Sequence, residues 1–236
     1  MHHLTAESLA KYFDHTQLKA AATYEDLREL CGQARRYGFQ MVAVNPASVS
    51  FCAGELAGSG VLVGAAVGFP LGQNTLETKL YETRDAIKRG AGEIDYVINI
   101  TRLKAGDRAY IKDEMQRIAD VCKQSAVTSK VIFENCYLTD DEKKTLCEIA
   151  VETGIDFIKT STGFGPGGAT VEDIKLMKSM VGDRVKIKAA GGVRTLEGAL
   201  EMIRLGVSRI GSSASVAIVE DFIHHRATAG GDDGSY

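Results

Sequence analysis

The sequence predicts a single-domain α/β fold, a (β/α)8 TIM barrel, on three observations. Short apolar runs rich in β-branched residues alternate with segments of helical periodicity. Eight such units fit the 236 residues of the chain, a length typical of this barrel. No Pro/Ser-rich linker divides them. Because apolar strands that alternate with helices indicate a parallel sheet, an open doubly wound sheet is the alternative that this pattern leaves open.

The eight candidate strands are short apolar runs, most of them β-branched. They cover residues 11–14, 39–44, 61–67, 94–100, 130–133, 155–159, 185–190 and 207–211. Six of the runs follow a glycine within about three residues, where a helix would end in a left-handed C-cap. These glycines are Gly38, Gly60, Gly92, Gly154, Gly182 and Gly206.

The helices between the runs are predicted to begin at threonines. A threonine followed by acidic residues favours a helix N-terminus, because its oxygen accepts a backbone N–H and the acids complement the helix dipole. The threonines in this setting are Thr23, Thr75, Thr139, Thr170 and Thr195. Thr139 and Glu142 have the spacing of a capping box.

The barrel is predicted to occupy residues 1–227, followed by a flexible tail at residues 228–236 that is polar and rich in glycine. The amino terminus lacks the pattern of a signal peptide, and no run approaches the ~20 apolar residues of a membrane span. We therefore expect a cytoplasmic protein that has no membrane partner.

The net charge and the cysteine pattern argue against a nucleic-acid-binding protein, a disulfide-rich protein and a zinc-binding protein. The 28 Lys and Arg against 31 Asp and Glu give a net charge of -3, which argues against a nucleic-acid partner. None of the five cysteines forms a Cys-x-x-Cys pair, so neither a disulfide scaffold nor a structural zinc site is predicted. We expect neither a metal nor a cofactor.

Two lysines in neighbouring strands are the candidate catalytic residues. Lys159 alternates with Phe157, and Lys188 lies in the next strand. If both face the barrel interior, burial and mutual repulsion lower the pKa of a lysine, and a neutral amine can form a Schiff base with a carbonyl substrate. The alternative is that one of them points outward into solvent.

Asp95 is a carboxylate within a strand that is predicted to be buried, where a charge is costly unless it is paired. A lysine across the barrel would pair with it, and such a pair can also transfer a proton. The alternative is a purely structural ion pair.

Three strand-end segments rich in Gly and Ser predict a phosphate site. They begin at Gly163, at Gly191 with Gly192, and at Gly211 with Ser212 and Ser213. Backbone N–H groups at such helix starts bind phosphate, commonly after strands 7 and 8 of a barrel. The segment 163–168 also matches G-x-G-x-x-G, but the next strand lacks the acidic residue of a dinucleotide site, so a nicotinamide cofactor is not expected.

The chain resembles the deoxyribose-phosphate aldolase family almost from end to end. The resemblance rests on DHTQL at 14–18, VNP at 44–46, GFP at 68–70, EID at 93–95, DFIKTSTGF at 156–164, KAAGGVRT at 188–195 and RIGSS at 209–213. It implies a metal-free class I aldolase of deoxyribonucleotide catabolism. The implied reaction is the reversible cleavage of 2-deoxy-D-ribose 5-phosphate to acetaldehyde and D-glyceraldehyde 3-phosphate.

The resemblance also implies residue roles. Lys159 matches the Schiff-base lysine, Lys188 the second lysine that lowers its pKa and relays protons, and Asp95 the acid/base carboxylate that acts through water. Asp14 matches a supporting residue, and Tyr236 a terminal tyrosine that folds over the site and assists proton transfer. The matching substrate and phosphate positions are Thr162, Gly163, Gly191, Gly192, Ser212 and Ser213. A homo-oligomer, dimer or tetramer, is expected on the same basis.

Two other functions stay open from the sequence. One is another Schiff-base aldolase or transaldolase-like barrel with a different donor. The other is a non-catalytic barrel that binds a phosphosugar, for which Lys159 must be inert.

Overall fold

Eight parallel strands close into a barrel in chain order, with β8 pairing to β1. The structure, a computed structural model, describes residues 4–229. The strands are β1 (Phe13–Gln17), β2 (Met41–Val44), β3 (Leu62–Val67), β4 (Glu93–Val97), β5 (Thr128–Ile132), β6 (Phe157–Lys159), β7 (Lys186–Ala190) and β8 (Arg209–Ser212). The predicted (β/α)8 fold is confirmed, because the closed order leaves no edge for an open sheet.

Ten α-helices, counted within the described part of the chain, accompany the strands. They are α1 (Ala6–Ala10), α2 (Tyr24–Tyr37), α3 (Val49–Glu55), α4 (Leu76–Lys88), α5 (Ile100–Lys104), α6 (Arg108–Gln124), α7 (Asp140–Thr153), α8 (Val171–Val181), α9 (Leu196–Arg204) and α10 (Ser215–Ala229). None of the helices within residues 4–229 combines the length and apolar character needed to cross a bilayer.

The predicted helix starts are confirmed. Each of the five threonines accepts a backbone N–H at the N-terminus of α2, α4, α7, α8 or α9, and Thr139 forms its capping box with Glu142. The helix ends are less uniform. Gly38 and Gly154 are left-handed C-caps, whereas Gly182 caps α8 with a ψ of -127°. Gly206 directly follows the α9 cap residue Leu205 with φ of 90°, and Val207 N–H donates to the Met202 carbonyl, so this glycine also ends its helix in a left-handed conformation. Gly60 and Gly92 are not caps, because extra turn residues follow α3 and α4.

The first predicted strand, residues 11–14, is misplaced. Lys11 is the C-cap of α1, and β1 begins at Phe13 and runs on through Asp14 to Gln17. An apolar pattern does not reveal a strand whose buried side chain is a carboxylate. At the other terminus, α10 includes Thr228 and Ala229. The rest of the predicted tail lies outside the described residues, so the division at residue 228 stays a prediction.

A buried ion pair between α4 and α6 supports the ends of β3 and β4. Lys79 Nζ donates to Glu114 Oε1 at 2.7 Å and to the Val97 carbonyl at 2.7 Å. Glu114 Oε2 accepts the N–H of Asn99 at 3.0 Å, and neither side chain of the pair is exposed. The pair therefore fixes the segment that follows β4.

Replacing Lys79 with methionine should lower the free energy of unfolding by about 3–5 kcal/mol, because it strands the buried Glu114 carboxylate. Urea denaturation measures the loss. Burial raises the pKa of Glu114, so the loss should shrink as the pH falls and this carboxyl takes up a proton. Lys144→Met, which removes an exposed pair with Asp141, is the matched control and should change stability by less than about 1 kcal/mol. Equal losses in the two variants would contradict the prediction.

Candidate active site

Asp95 on β4 is bound by three lysines inside the barrel. Its Oδ2 accepts from Lys159 Nζ on β6 at 2.8 Å and from Lys188 Nζ on β7 at 2.7 Å, while Oδ1 accepts from Lys130 Nζ on β5 at 2.7 Å. All four side chains are at most 5% exposed. The structure thus brings both predicted lysines to the predicted carboxylate, and neither lysine points outward.

Asp14 extends this network to the seam between the first and last strands. Its carboxylate binds Lys188 Nζ at 2.5 Å and Arg209 on β8 at 2.8 Å. Glu93, two residues before Asp95 on the same strand, pairs with both Arg209 and Lys130. Asp14 therefore has the supporting position that the resemblance implies, and Arg209 joins β8 to β1 through it.

The network contains four cationic groups and three carboxylates, so it carries one positive charge too many. Lys188, Lys130 and Arg209 each contact two carboxylates, whereas Lys159 contacts only Asp95. Lys159 is therefore the group whose charge is least compensated. It is the amine that can lose its proton at the lowest cost.

The pKa values agree with this assignment. Burial lowers the pKa of Lys159 to about 8, with Asp95 opposing the shift and Lys188 and Lys130 adding to it. Burial also disfavours the charged form of Lys130, but Asp95, Glu93 and Asp14 outweigh it and raise that pKa. Burial would raise the pKa of Asp95, yet the three ammonium groups hold it well below its usual range. Repulsion by Lys188 thus contributes to the lowered pKa of Lys159, but desolvation is the larger cause.

Three members of this network were missed in the sequence: Lys130, Glu93 and Arg209. The signal was available for Lys130 and Arg209, since each is a charged residue within an apolar strand run, as Lys159 is. Glu93 directly precedes the run at 94–100. Lys130 also lies beside Asp95 in the register between β5 and β4.

A cavity of about 230 Å³ opens above the network, between the segments that follow β1, β6, β7 and β8. Lys159 lines it, whereas Lys188 and Asp95 lie beneath. Its other cationic side chains are Lys19 and Arg194, and no aspartate or glutamate of the described chain lines it. The cavity therefore favours a small anionic ligand, with Lys159 as the only member of the network that reaches it.

The predicted phosphate positions all line this cavity, but they are not equivalent. Within residues 4–229, the N–H groups of Gly163, Gly192 and Ser213 donate to no protein acceptor, so they are free to bind an anion. The hydroxyl of Ser212 already donates to the Val193 carbonyl at 2.7 Å. The Gly191 N–H likewise donates to no protein acceptor in this part of the chain, and a Cβ at this position would lie 3.0 Å from the Gly168 Cα.

The hydrogen-bond donors of Thr162 are also used within the protein. Its N–H donates to Glu134 at 3.1 Å, and its hydroxyl donates to the other oxygen of the same carboxylate. Glu134 is buried just beyond β5, in a left-handed conformation with φ of 58°. Thr162 therefore positions the segment after β6 and has no free donor for a phosphate, and Glu134 is a site residue that sequence reasoning missed.

The G-x-G-x-x-G segment serves close packing between two loops. A Cβ at Gly168 would lie 2.2 Å from the carbonyl oxygen of Gly191, whose own φ is +80°. The segment thus touches the neighbouring loop directly, which only glycine permits at these positions. Tyr236, the last predicted site residue, lies outside the described residues.

Comparison with known proteins identifies the family. The DeoC/LacD family aldolase model matches residues 8–217. A deoxyribose-phosphate aldolase of Lactobacillus acidophilus is 57% identical over 216 residues, 92% of this chain and 91% of that protein. The corresponding enzyme of Bacteroides thetaiotaomicron is 53% identical over 219 residues, 93% of this chain and 92% of that one.

A solved structure agrees with these matches. The deoxyribose phosphate aldolase of Aeropyrum pernix, described as tetrameric, superimposes with a TM-score of 0.87 at 30% identity, over 93% of this chain and 92% of that one. These matches confirm the resemblance seen in the sequence. They also place the protein among the lyases, because aldolases belong to that enzyme class. The protein therefore belongs to the DeoC/LacD family of aldolases.

Proposed function

We propose that this protein reversibly cleaves 2-deoxy-D-ribose 5-phosphate to acetaldehyde and D-glyceraldehyde 3-phosphate through a Schiff base on Lys159. The observation that carries the proposal is the position of Lys159, which alone joins the buried network to the cationic cavity. The names of the relatives at 53% and 57% identity support the substrate. The reaction belongs to deoxyribonucleotide catabolism.

In the proposed mechanism, the neutral Lys159 amine attacks C1 of the open-chain sugar, and loss of water gives the Schiff base. Removal of the C3 hydroxyl proton then breaks the C2–C3 bond, which releases glyceraldehyde 3-phosphate and leaves an enamine. Protonation at C2 and hydrolysis release acetaldehyde and restore the amine.

Asp95 lies beneath the cavity, so we propose that it moves these protons through a water molecule. Lys188 holds Asp95, Asp14 in turn holds Lys188 and contributes to the charge balance, and Tyr236 assists proton transfer at C2.

The phosphate would lie between Lys19 and Arg194, against the free N–H groups of Gly163, Gly192 and Ser213. Both side chains are exposed, line the cavity and form no ion pair within the described part of the chain. Their charges are therefore available to a phosphate dianion. Charge-assisted hydrogen bonds from these two side chains would strengthen its binding.

Lys19→Gln and Arg194→Gln should each raise KM for the phosphosugar by about tenfold, because each removes one such interaction. Steady-state kinetics with 2-deoxyribose, which lacks the phosphate, should show little change in either variant. Lys11→Gln, an exposed lysine outside the cavity, is the matched control. A parallel loss with both sugars would contradict a role in phosphate binding.

Reductive trapping tests the proposed function. Incubation with 2-deoxyribose 5-phosphate and borohydride, followed by mass analysis, should place a two-carbon adduct on Lys159. An adduct from dihydroxyacetone phosphate in place of acetaldehyde would favour a Schiff-base aldolase with another donor. A protein that forms no adduct with either would be a phosphosugar-binding barrel, and the proposal would be wrong.

We further propose a cytoplasmic homo-oligomer, a dimer or tetramer. The five cysteines are all free thiols, as expected of a reducing compartment, and the Aeropyrum pernix relative is described as tetrameric. Light scattering coupled to size-exclusion chromatography measures the state, and a monomer at micromolar concentration would contradict it.

A further inference from the structure

Two phenylalanine rings meet across the mouth of the barrel. Phe69 follows β3 and Phe164 follows β6, yet their ring centroids lie 5.3 Å apart at an interplanar angle of 87°. Since β4 and β5 lie between β3 and β6 in the closed order, the contact spans the ends of those two strands. An edge-to-face pair of this kind is a favourable aromatic geometry.

The two loops that carry these rings are fixed. On one side, Gly72 brings the loop after β3 so close to the end of β4 that a Cβ there would lie 2.0 Å from the Ile98 carbonyl oxygen. On the other side, Phe164 N–H donates to the Thr162 hydroxyl at 3.0 Å, and Thr162 is held by the buried Glu134. The aromatic contact is therefore built by the fold from both sides.

The strands under this contact carry part of the buried charge network. Asp95 is on β4 and Lys130 on β5, and Lys159 is on the adjoining β6. The cavity opens beside the contact, between the segments that follow β1, β6, β7 and β8, and both Phe164 and Lys159 line it. The mouth thus has an open half that is cationic and a half that the two rings cover.

We propose that the Phe69–Phe164 pair is an aromatic roof, a positioning device that keeps water away from the Lys159 amine and confines the substrate to the open half of the mouth. The proposal deepens the proposed function and rests on it. Phe164 lines the same cavity as Lys159 and is held in place by Phe69, and an apolar ring there displaces water that would stabilise the ammonium form of the lysine. Opening the roof should hydrate Lys159 and favour its protonated state.

The charged groups that face Lys159 are unaffected by the roof. Asp95 contacts Lys159 from β4, and Lys188 and Lys130 act on its charge from β7 and β5. Lys19 and Arg194 line the same cavity from the segments after β1 and β7. Glu134 is the carboxylate under the loop that carries Phe164, and it binds Thr162. Truncation of Phe164 leaves all of these groups in place, so a changed titration of Lys159 would report hydration.

The test is the pH dependence of adduct formation with acetaldehyde and cyanoborohydride between about pH 6 and pH 10, where Lys159 titrates. Phe164→Ala and Phe69→Ala should move the midpoint upward by about one pH unit, and Phe164→Leu by less. Phe164 is 54% exposed, so its truncation should leave the fold intact, which a thermal melt checks. Tyr137→Ala removes an aromatic ring of similar exposure, 49%, and is the matched control.

The outcomes separate the two proposals. An upward shift in the Phe variants but not in Tyr137→Ala supports the roof. Wild-type midpoints in folded Phe164→Ala and Phe164→Leu overturn it and leave the proposed function standing. If wild-type protein forms no adduct with acetaldehyde, the proposed function falls, and the roof falls with it.

Discussion

Lys159→Leu should yield a folded protein that forms no borohydride adduct and has lost turnover of 2-deoxyribose 5-phosphate by about 10⁴-fold or more, because no other amine takes its place. Lys188 and Lys130 are equally buried, but neither lines the cavity. Mass analysis of the trapped protein and a coupled assay for glyceraldehyde 3-phosphate measure the two losses.

The fold of this variant should survive, since Asp95 keeps Lys130 and Lys188 as partners. Removing Lys159 also removes the surplus positive charge, so the remaining network is balanced. Lys175 is an exposed lysine on α8, and Lys175→Leu is the control. This variant should form the borohydride adduct and turn over 2-deoxyribose 5-phosphate like the wild type. An adduct on another lysine of the Lys159 variant would show that the nucleophile has been assigned wrongly.

Lys188→Leu should move the acid limb of the pH–rate profile to higher pH. The lost ammonium group repels the Lys159 ammonium and competes for the same Asp95 oxygen, so its removal raises the pKa of Lys159 on both counts. With a pKa near 8, roughly a tenth of Lys159 is neutral at pH 7. A rise of one to two pH units would leave roughly a hundredth or less neutral, and turnover at pH 7 would fall at least about tenfold.

Adduct formation by the Lys188 variant should recover above about pH 9, where Lys159 again loses its proton. Lys186→Leu is the matched control, because it is a lysine on the same strand and the same face, but exposed and stacked on Phe157. It should keep the wild-type profile. The coupling of the two lysines would be refuted by a Lys188 variant with an unchanged acid limb.

The barrel and three of its central charges, Asp95, Lys159 and Lys188, were predictable because they follow from local patterns. Threonine caps and β-branched runs act over a few residues, and a lysine within an apolar strand stands out in any sequence. The first strand was misplaced because it continues past Asp14 through three polar residues, which an apolar pattern does not predict. The sequence also does not show that residues on β7 and β8 pair with the buried Asp14.

The sequence could not predict which loop donors form hydrogen bonds within the protein and which stay free for a ligand. Thr162 and Ser212 have the composition expected of phosphate ligands, yet the structure gives their donors to Glu134 and to the Val193 carbonyl. Likewise, the sequence does not show that Gly168 allows two loops to touch. Which donors remain free depends on the packing of loops that are distant in sequence.

The contact between Asp14 and Arg209 has a consequence for the newly made chain. These residues are 195 positions apart, so the seam they form exists only after nearly the whole polypeptide has been assembled. In the unfolded chain the Lys159 side chain is hydrated, so the ordinary lysine pKa of 10.5 keeps it protonated. The neutral amine that can react with an aldehyde therefore forms only when the barrel closes around it.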